Sequence, residues 1–319
     1  MNDSLLVVLL ASAVFYGTPL LYAALGEILT ERSGVLNLGL EGIMLMGAVS
    51  GFWVAQYLEG PEWFVLGVAA IAAAFAGAVT GLIHAVLVVT LRANQIVSGI
   101  ALSIFAGTIG LSSYLGTVGK VGGAFLTYHF RALNVFGLKD MPVLGPILFN
   151  QHALVYLSWI LVAATSWYLH RTSLGLRLRA VGDSPETADA AGIGVTAYRY
   201  VHTAIGGALA GIGGSVVSLA IALNWLDGMT AGAGWIAIAL VIFAFWRPGL
   251  VLLGSYFFGG LSGLGFALQT RQVRLPPEVF AAMPYVMTIV VLTVVSSGWA
   301  QRRSAAPAAL GRPYIREGD

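Results

Sequence analysis

The sequence has no cysteine, and only 9% of its residues are charged. Without cysteine there is no disulfide, no thiolate nucleophile and no Cys-ligated metal site. A soluble domain carries about 25% charged residues, so this chain lacks the side chains that make a water-compatible surface. Its formal net charge of +2 is too small to attract a nucleic acid, and no nucleic-acid partner is expected. Nor is there a G-x-x-x-x-G-K-[ST] phosphate loop, because neither Ser nor Thr follows Gly119-Lys120. Met1–Ser4 is not basic and the first apolar run continues too far for a signal peptide, so no cleavable leader is expected.

What the sequence has in quantity is apolar length. Hydrophobic residues make up 58% of the chain, and from Phe64 to Leu91 a single histidine interrupts a run free of acids and bases. About 20 apolar residues suffice to cross the hydrocarbon core of a bilayer. Backbone groups in lipid must be bonded internally, so such runs form helices. The expected fold class is therefore an all-α polytopic membrane protein of about nine spans, within a range of eight to ten. The spans fall near 5–29, 35–57, 63–91, 95–117, 151–170, 198–223, 231–246, 249–269 and 279–299. Glycines interrupt the second and seventh. Residues 1–300 form one transmembrane domain with a connection at 171–197, and 301–319 form a mobile tail rich in Ala, Pro, Arg and Gly. The long connection from 118 to 150, with Pro142 and Pro146, reads as an irregular segment packed on the protein.

Basic residues set the orientation. With 171–197 in the cytoplasm, that side holds Arg32, Arg92, Arg171, Arg177, Arg179, Arg199, Arg247, Arg302, Arg303, Arg312 and Arg316. The other side holds Lys120, Arg131, Lys139, Arg271 and Arg274. This asymmetry places the N-terminus outside and the C-terminus in the cytoplasm. Trp53, Tyr57, Trp63, Trp159, Trp167, Tyr168, Trp246 and Trp299 stand near span ends, as interfacial aromatics do.

The fifth span divides the chain into two four-span groups that start on opposite sides, the layout of an inverted repeat. The second span of each group is broken, at 34–42 and at 227–235. Paired interruptions point to a transport site at mid-depth; glycines that let helices pack closely explain the same pattern. Gly206, Gly207, Gly211, Gly213 and Gly214 crowd the sixth span, Gly47 and Gly51 form a GxxxG pair, and Gly259, Gly260, Gly263 and Gly265 recur on the eighth. Glu41 is the costliest residue, since a charge within a span costs roughly 2.5–3.5 kcal/mol on insertion scales. Either it caps a broken helix end and holds the break together with Asn37, or it meets the transported solute. Asn94, Gln95 and Ser98 either cap the fourth span or line the inner mouth of a pathway. Trp235 joins Asn37, Glu41, Asn94, Gln95 and Ser98 as a candidate pathway residue. His84 has no second ligand at metal-binding spacing and reads as a packed or interhelical hydrogen-bonding residue. No metal site and no catalytic cluster are expected.

The 171–197 connection is built like a short rod. Asp183 or Ser184 suits a helix cap, Pro185 the first helical position, Glu186 the positive dipole end, and Gly192 a left-handed stop. A small-faced helix of this kind either seats in a partner's groove or packs on its own chain.

Several of these segments together resemble a family. Residues 31–42 resemble the second-span signature of bacterial ABC-importer permeases for nucleosides, within the larger group of ribose and branched-chain amino-acid permeases. The stretches 94–102, 175–186, 190–193 and 234–240 are similar to the same group. The resemblance implies a permease subunit in the bacterial inner membrane, working with a second permease chain, two cytoplasmic ABC ATPases and an extracytoplasmic substrate-binding lipoprotein. It implies that ATP and Mg are bound by the ATPases and that this chain binds no cofactor and is not itself an enzyme. It implies a coupling helix at Asp183–Gly192, with Asp183, Ser184, Pro185, Glu186, Ala188, Ala191 and Gly192 engaging the ATPase. The solute expected is a nucleoside, with a simple sugar or an ion-coupled secondary mechanism through Glu41 as the alternatives.

Overall fold

The computed structural model describes residues 5–107, 109–121, 125–270, 276–295 and 306–315. Arg271, Arg274, Trp299, Arg302, Arg303 and Arg316 lie outside the described residues. Helix stands at each of the nine expected positions, with the fourth, 95–117, formed by two helices. In chain order the elements are α1 (Leu5–Arg32), α2 (Leu40–Tyr57), α3 (Glu62–Ala85, extended by a π turn to Thr90), α4 (Gln95–Ala106) and α5 (Leu111–Val118). They continue with β1 (Ala132–Asn134), β2 (Asn150–His152), α6 (Ala153–Arg171), α7 (Ser173–Asp183) and α8 (Pro185–Ala190). Last come α9 (Val195–Val216, extended by a π segment to Ala222), α10 (Ala233–Phe243), α11 (Pro248–Thr270) and α12 (Pro277–Val295). Among the described residues six helices are long and apolar enough to cross a membrane. The glycine-bounded α2 and α10 are not among these, consistent with their interrupted sequences.

α9 is the hub, packed against α1, α2 and α3. Its glycines allow this, because small residues let backbones approach in lipid where burial alone gives no driving force. A Cβ on Gly207 would lie 2.4 Å from the carbonyl oxygen of Gly77, and one on Gly47 would lie 2.2 Å from that of Gly211. α11 meets α1 in the same way, since a Cβ on Gly259 would lie 2.3 Å from the Gly17 nitrogen. Backbone cannot yield as a side-chain tip can, so Gly207→Leu is expected to cost at least about 3 kcal/mol, the upper end for overpacking. Gly67→Leu is the matched control, because a Cβ there meets nothing within 4 Å. Thermal unfolding of the two purified variants in one detergent checks the contrast.

The 118–150 connection is more ordered than its composition suggests. β1 and β2 pair antiparallel, with Ala132 opposite His152 and Asn134 opposite Asn150. Upstream, the Leu126 and Phe130 amides donate to the carbonyls of Leu223 and Leu219, at 3.1 and 2.9 Å. Those carbonyls belong to the end of the α9 extension, where a helix leaves acceptors without intrahelical partners. The connection thus closes that end and abuts the second break.

At the opposite end of α9 the residues 173–183 form the helix α7, where the sequence suggests only loop. Thr172 caps it, its hydroxyl accepting from the Gly175 amide at 3.0 Å. Within the 301–319 tail, residues 306–315 lie against the protein rather than standing free. The Ala309 amide donates to the Gly182 carbonyl at 2.9 Å, and Gly311 donates to Gly34 at 3.3 Å.

Candidate functional site

Both expected interruptions exist, and they meet. The first is the buried turn 33–39 between α1 and α2, just ahead of the second span rather than within it. Gly34 has φ +86°, and its left-handed backbone turns the chain where a β-carbon would be strained. The second runs from Leu223 to Gly232, with Gly228, Ala231 and Gly232 at φ +70°, +46° and +76°. Ala231 in this region is a conformation that L-residues rarely adopt, and the surrounding contacts hold it there.

Glu41 joins the two. It stands in the first turn of α2, and its carboxylate lies at the N-terminus of α10. The Thr230 hydroxyl and the Gly232 amide donate to Oε1 at 2.6 and 2.9 Å, and the Gly234 amide donates to Oε2 at 2.7 Å. Orphan amides and the positive end of the helix dipole together make this a natural anion position. Gly234 must be glycine, since its Cβ would lie 2.4 Å from the Glu41 nitrogen. The N-termini of α2 and α10 therefore meet around one carboxylate, which acts as a cap across the two halves. That is the structural alternative left open for Glu41 in the sequence.

The first break is held by a ring of side chains. The Asn37 amide donates to Glu27 Oε1 at 3.2 Å, and Asn37 Oδ1 accepts from the Gly39 amide at 2.9 Å. Gln95 Oε1 accepts from the Leu36 amide at 2.7 Å. His84 bridges the Leu36 carbonyl and the Ser98 hydroxyl, at 3.0 and 3.1 Å, as the interhelical residue expected of it. Ser103 donates to the Leu38 carbonyl at 2.8 Å. Behind them Glu31, buried one turn after Glu27, accepts from the Trp246 indole in the turn after α10. Asn94 is exposed and caps α4, accepting from the Val97 amide at 3.1 Å.

Of the candidate pathway residues, Asn37, Glu41, Gln95 and Ser98 thus gather at the two breaks. Asn94 caps a helix at the surface, and Trp235 is 41% exposed on α10. Missed by the sequence are Glu27, Glu31, Thr230, Trp246 and Tyr285. Glu27 and Glu31 carried a signal, being two carboxylates at the end of an apolar span.

Beside the second break lies a cavity of about 500 Å³, within the roughly 300–1,000 Å³ typical of small-molecule sites. Tyr16, Phe258, Phe280 and Tyr285 line it from α1, α11 and α12, and Thr230 and Ala231 supply its polar edge. The Tyr285 hydroxyl donates to the Ala231 carbonyl. The break is consequently held from two directions, by Glu41 and by Tyr285.

The short helix α8 has the architecture expected of it. Ser184 precedes Pro185 at the first helical position, and Gly192 ends the helix at φ +78°. The Ser184 hydroxyl donates to that of Thr187, 2.7 Å away, instead of capping the backbone. Its residues divide by face. Asp183, Glu186, Ala191 and Gly192 are exposed, whereas Pro185 and Ala188 are buried. Ala188 packs with Val181 and Val195 in a small cluster that includes Tyr314 of the tail. Bulk at Ala188 accordingly tests this packing, and bulk at Glu186 or Ala191 tests the exposed face.

A family model described as branched-chain amino acid transport system / permease component matches residues 9–292. The chain is 38% identical to a putative glucose ABC transporter permease protein of Haloferax volcanii, over 98% of both chains. It is 36% identical to a guanosine ABC transporter permease protein of Bacillus subtilis and 35% identical to a nucleoside ABC transporter permease protein of Lactococcus lactis subsp. cremoris, again over 98% of both chains. No solved structure matches it.

Proposed function

The chain belongs to the branched-chain amino acid transport system permease family and is a membrane permease subunit of an ABC importer, and we propose that the solute it passes is a nucleoside. The observation that carries this reading is the aromatic cavity at the second break. Tyr16 and Tyr285 line it with aromatic rings suited to a planar base, and the Thr230 hydroxyl and Ala231 carbonyl, bonded to Glu41 and Tyr285, keep acceptor capacity for a polar ring or ribose. Stacking of a base on an aromatic side chain is worth about 1–3 kcal/mol. The sugar reading draws on the glucose-named relative, since a hexose uses the same polar edge without needing ring faces.

In this proposal the 172–194 connection lies in the cytoplasm, supported by the excess of arginine at that end. Two ABC ATPases, a second permease chain and an extracytoplasmic binding lipoprotein complete the importer, and ATP with Mg belongs to the ATPases. The exposed face of α8 (Asp183, Glu186, Ala191 and Gly192) receives the ATPase motion. The motion passes to the turn 33–39, through Glu41 to the start of α10, and so to the wall of the cavity. This chain changes no bond in the solute. A carboxylate held by three donors gives little support to ion exchange at Glu41.

Reconstitution of the complete importer in vesicles tests the solute. ATP-driven uptake of labelled guanosine, competed by other nucleosides and not by glucose, is the expected result. Uptake of glucose alone overturns the nucleoside reading. Tyr16→Ala is expected to lower nucleoside uptake by about five- to tenfold, the loss of roughly 1 kcal/mol or somewhat more of stacking. Equal uptake by this variant and the parent removes Tyr16 from the pathway.

A further inference from the structure

Residues 306–315 are fastened to the end of α7, to the first break and to side chains of α4 and α9. Ala309 is hydrogen-bonded to Gly182 at the end of α7, and Gly311 to Gly34 in the first break. The Arg312 carbonyl accepts from Arg199 Nη1 at 3.2 Å and from Gln95 Nε2 at 3.5 Å. Gln95 is the same side chain that holds the Leu36 amide. Arg199 is 1% exposed, and a buried cation is costly without acceptors. The tail carbonyl is one of those acceptors, so its departure would leave that charge less satisfied. Gly34 and Gly182 fit the strap closely: a Cβ on Gly34 would lie 3.6 Å from the Ala309 oxygen, and one on Gly182 would lie 3.2 Å from Pro307 Cβ.

The strap also shapes the surface beside α8. Tyr314 forms one wall of a recess of about 580 Å³ whose other lining includes Val89, Arg92, Asp189, Val195 and Tyr200. Asp189 comes from α8 itself, so the recess continues the exposed face of that helix. Next to Tyr314 the strap exposes Ile315, and Arg312 is exposed two residues upstream of Tyr314. Arg92 and Asp189 put one charge of each sign in the recess, and Val89, Val195, Tyr200 and Tyr314 supply its apolar surface.

We propose that residues 306–315 form the second half of the ATPase-docking surface, with the recess receiving an apolar side chain of the ATPase. The inference rests on the ABC coupling reading above. The strap then does two things at once. It completes the seat beside α8, and it ties that seat directly to the turn 33–39, so that a push at the surface reaches the first break without relying on α7 alone. Hydrogen-bond networks between packed elements can carry such coupling, and the strap supplies one.

The experiment compares three variants of this chain in the fully assembled importer. They are a truncation ending before residue 306, Ile315→Asp on the exposed strap beside Tyr314, and Ala191→Trp on the α8 face. Co-purification of the ATPase subunit and solute moved per ATP hydrolysed are measured for each. Loss of the strap removes its hydrogen bonds and the Tyr314 wall, so the truncation is expected to lower solute moved per ATP by roughly tenfold or more. Ile315→Asp is expected to reduce ATPase retention about fivefold with the chain still folded, since it buries an unpaired charge at the contact. Wild-type retention and coupling in both tail variants, while Ala191→Trp uncouples, overturns the strap and leaves the α8 reading standing. No effect of Ala191→Trp overturns the coupling reading itself. If the truncated chain fails to accumulate, Ile315→Asp decides, because an exposed residue does not govern folding.

Discussion

Glu41→Gln is expected to reduce ATP-driven uptake by about a hundredfold, with the subunit still inserted in the membrane. The substitution keeps the shape of the side chain and changes its hydrogen-bonding character. All three groups that face the carboxylate are donors: the Thr230 hydroxyl and the amides of Gly232 and Gly234. A glutamine has one acceptor oxygen, so its NH₂ group must point at a donor. Hydrogen bonds to a charged acceptor are worth about 1.5–3 kcal/mol, and a favourable charge at a helix N-terminus contributes up to about 2 kcal/mol. Every 1.4 kcal/mol is a factor of ten, so a loss near 3 kcal/mol at the junction gives the expected effect. Glu41→Asp retains the charge on a shorter arm and should fall between the two. Thr230→Val removes one donor and no charge, and should cost about tenfold, less than Glu41→Gln. Uptake in vesicles, with size-exclusion of the same preparations, separates failed transport from failed assembly. A fully active Glu41→Gln importer would reduce Glu41 to a tolerated polar residue.

Ala191→Trp separates ATP hydrolysis from transport. Ala191 is exposed at the end of α8, where a bulky ring alters the seat of a partner without entering the protein. The expected outcome is a fall in solute moved per ATP of roughly tenfold or more, corresponding to at least 1.4 kcal/mol of lost coupling. Ala188→Trp behaves differently. Ala188 is 3% exposed and packed among Val181 and Val195, so the ring has no room and the folded yield drops. Overpacking of this sort costs about 1–3 kcal/mol. A side-by-side comparison of melting temperature and coupling ratio distinguishes the faces. If the two variants behave alike, the assignment of an inward and an outward face to α8 is wrong.

The helices were legible because apolar runs free of charge have few alternatives in a membrane. The breaks were legible because glycine and a lone carboxylate in such runs are expensive unless something needs them. What Glu41 binds was not legible, since Thr230, Gly232 and Gly234 lie about 190 residues away in sequence and no local pattern marks them. The aromatic cavity is of the same kind: Tyr16, Phe258, Phe280 and Tyr285 are ordinary span residues until the packing of α1, α11 and α12 brings them together. The role of α8 could be read from its capping grammar, but its buried face could not, because a helix of this length has no repeating apolar pattern. The tail misled by composition. Ala, Pro, Arg and Gly describe a linker, yet residues 306–315 follow backbone carbonyls and a buried Arg199 whose positions only the fold supplies.

Coupling through α8 requires that this helix face the compartment that holds the ATPase and lie under it. The native chain lacks cysteine, so Glu186→Cys introduces a unique thiol on the exposed face of α8. Labelling by a membrane-impermeant maleimide is measured in right-side-out and inside-out vesicles, with and without the ATPase subunit. The account predicts labelling in inside-out vesicles alone and protection there when the ATPase is assembled. Labelling from outside, or full labelling in inside-out vesicles with the ATPase bound, contradicts it.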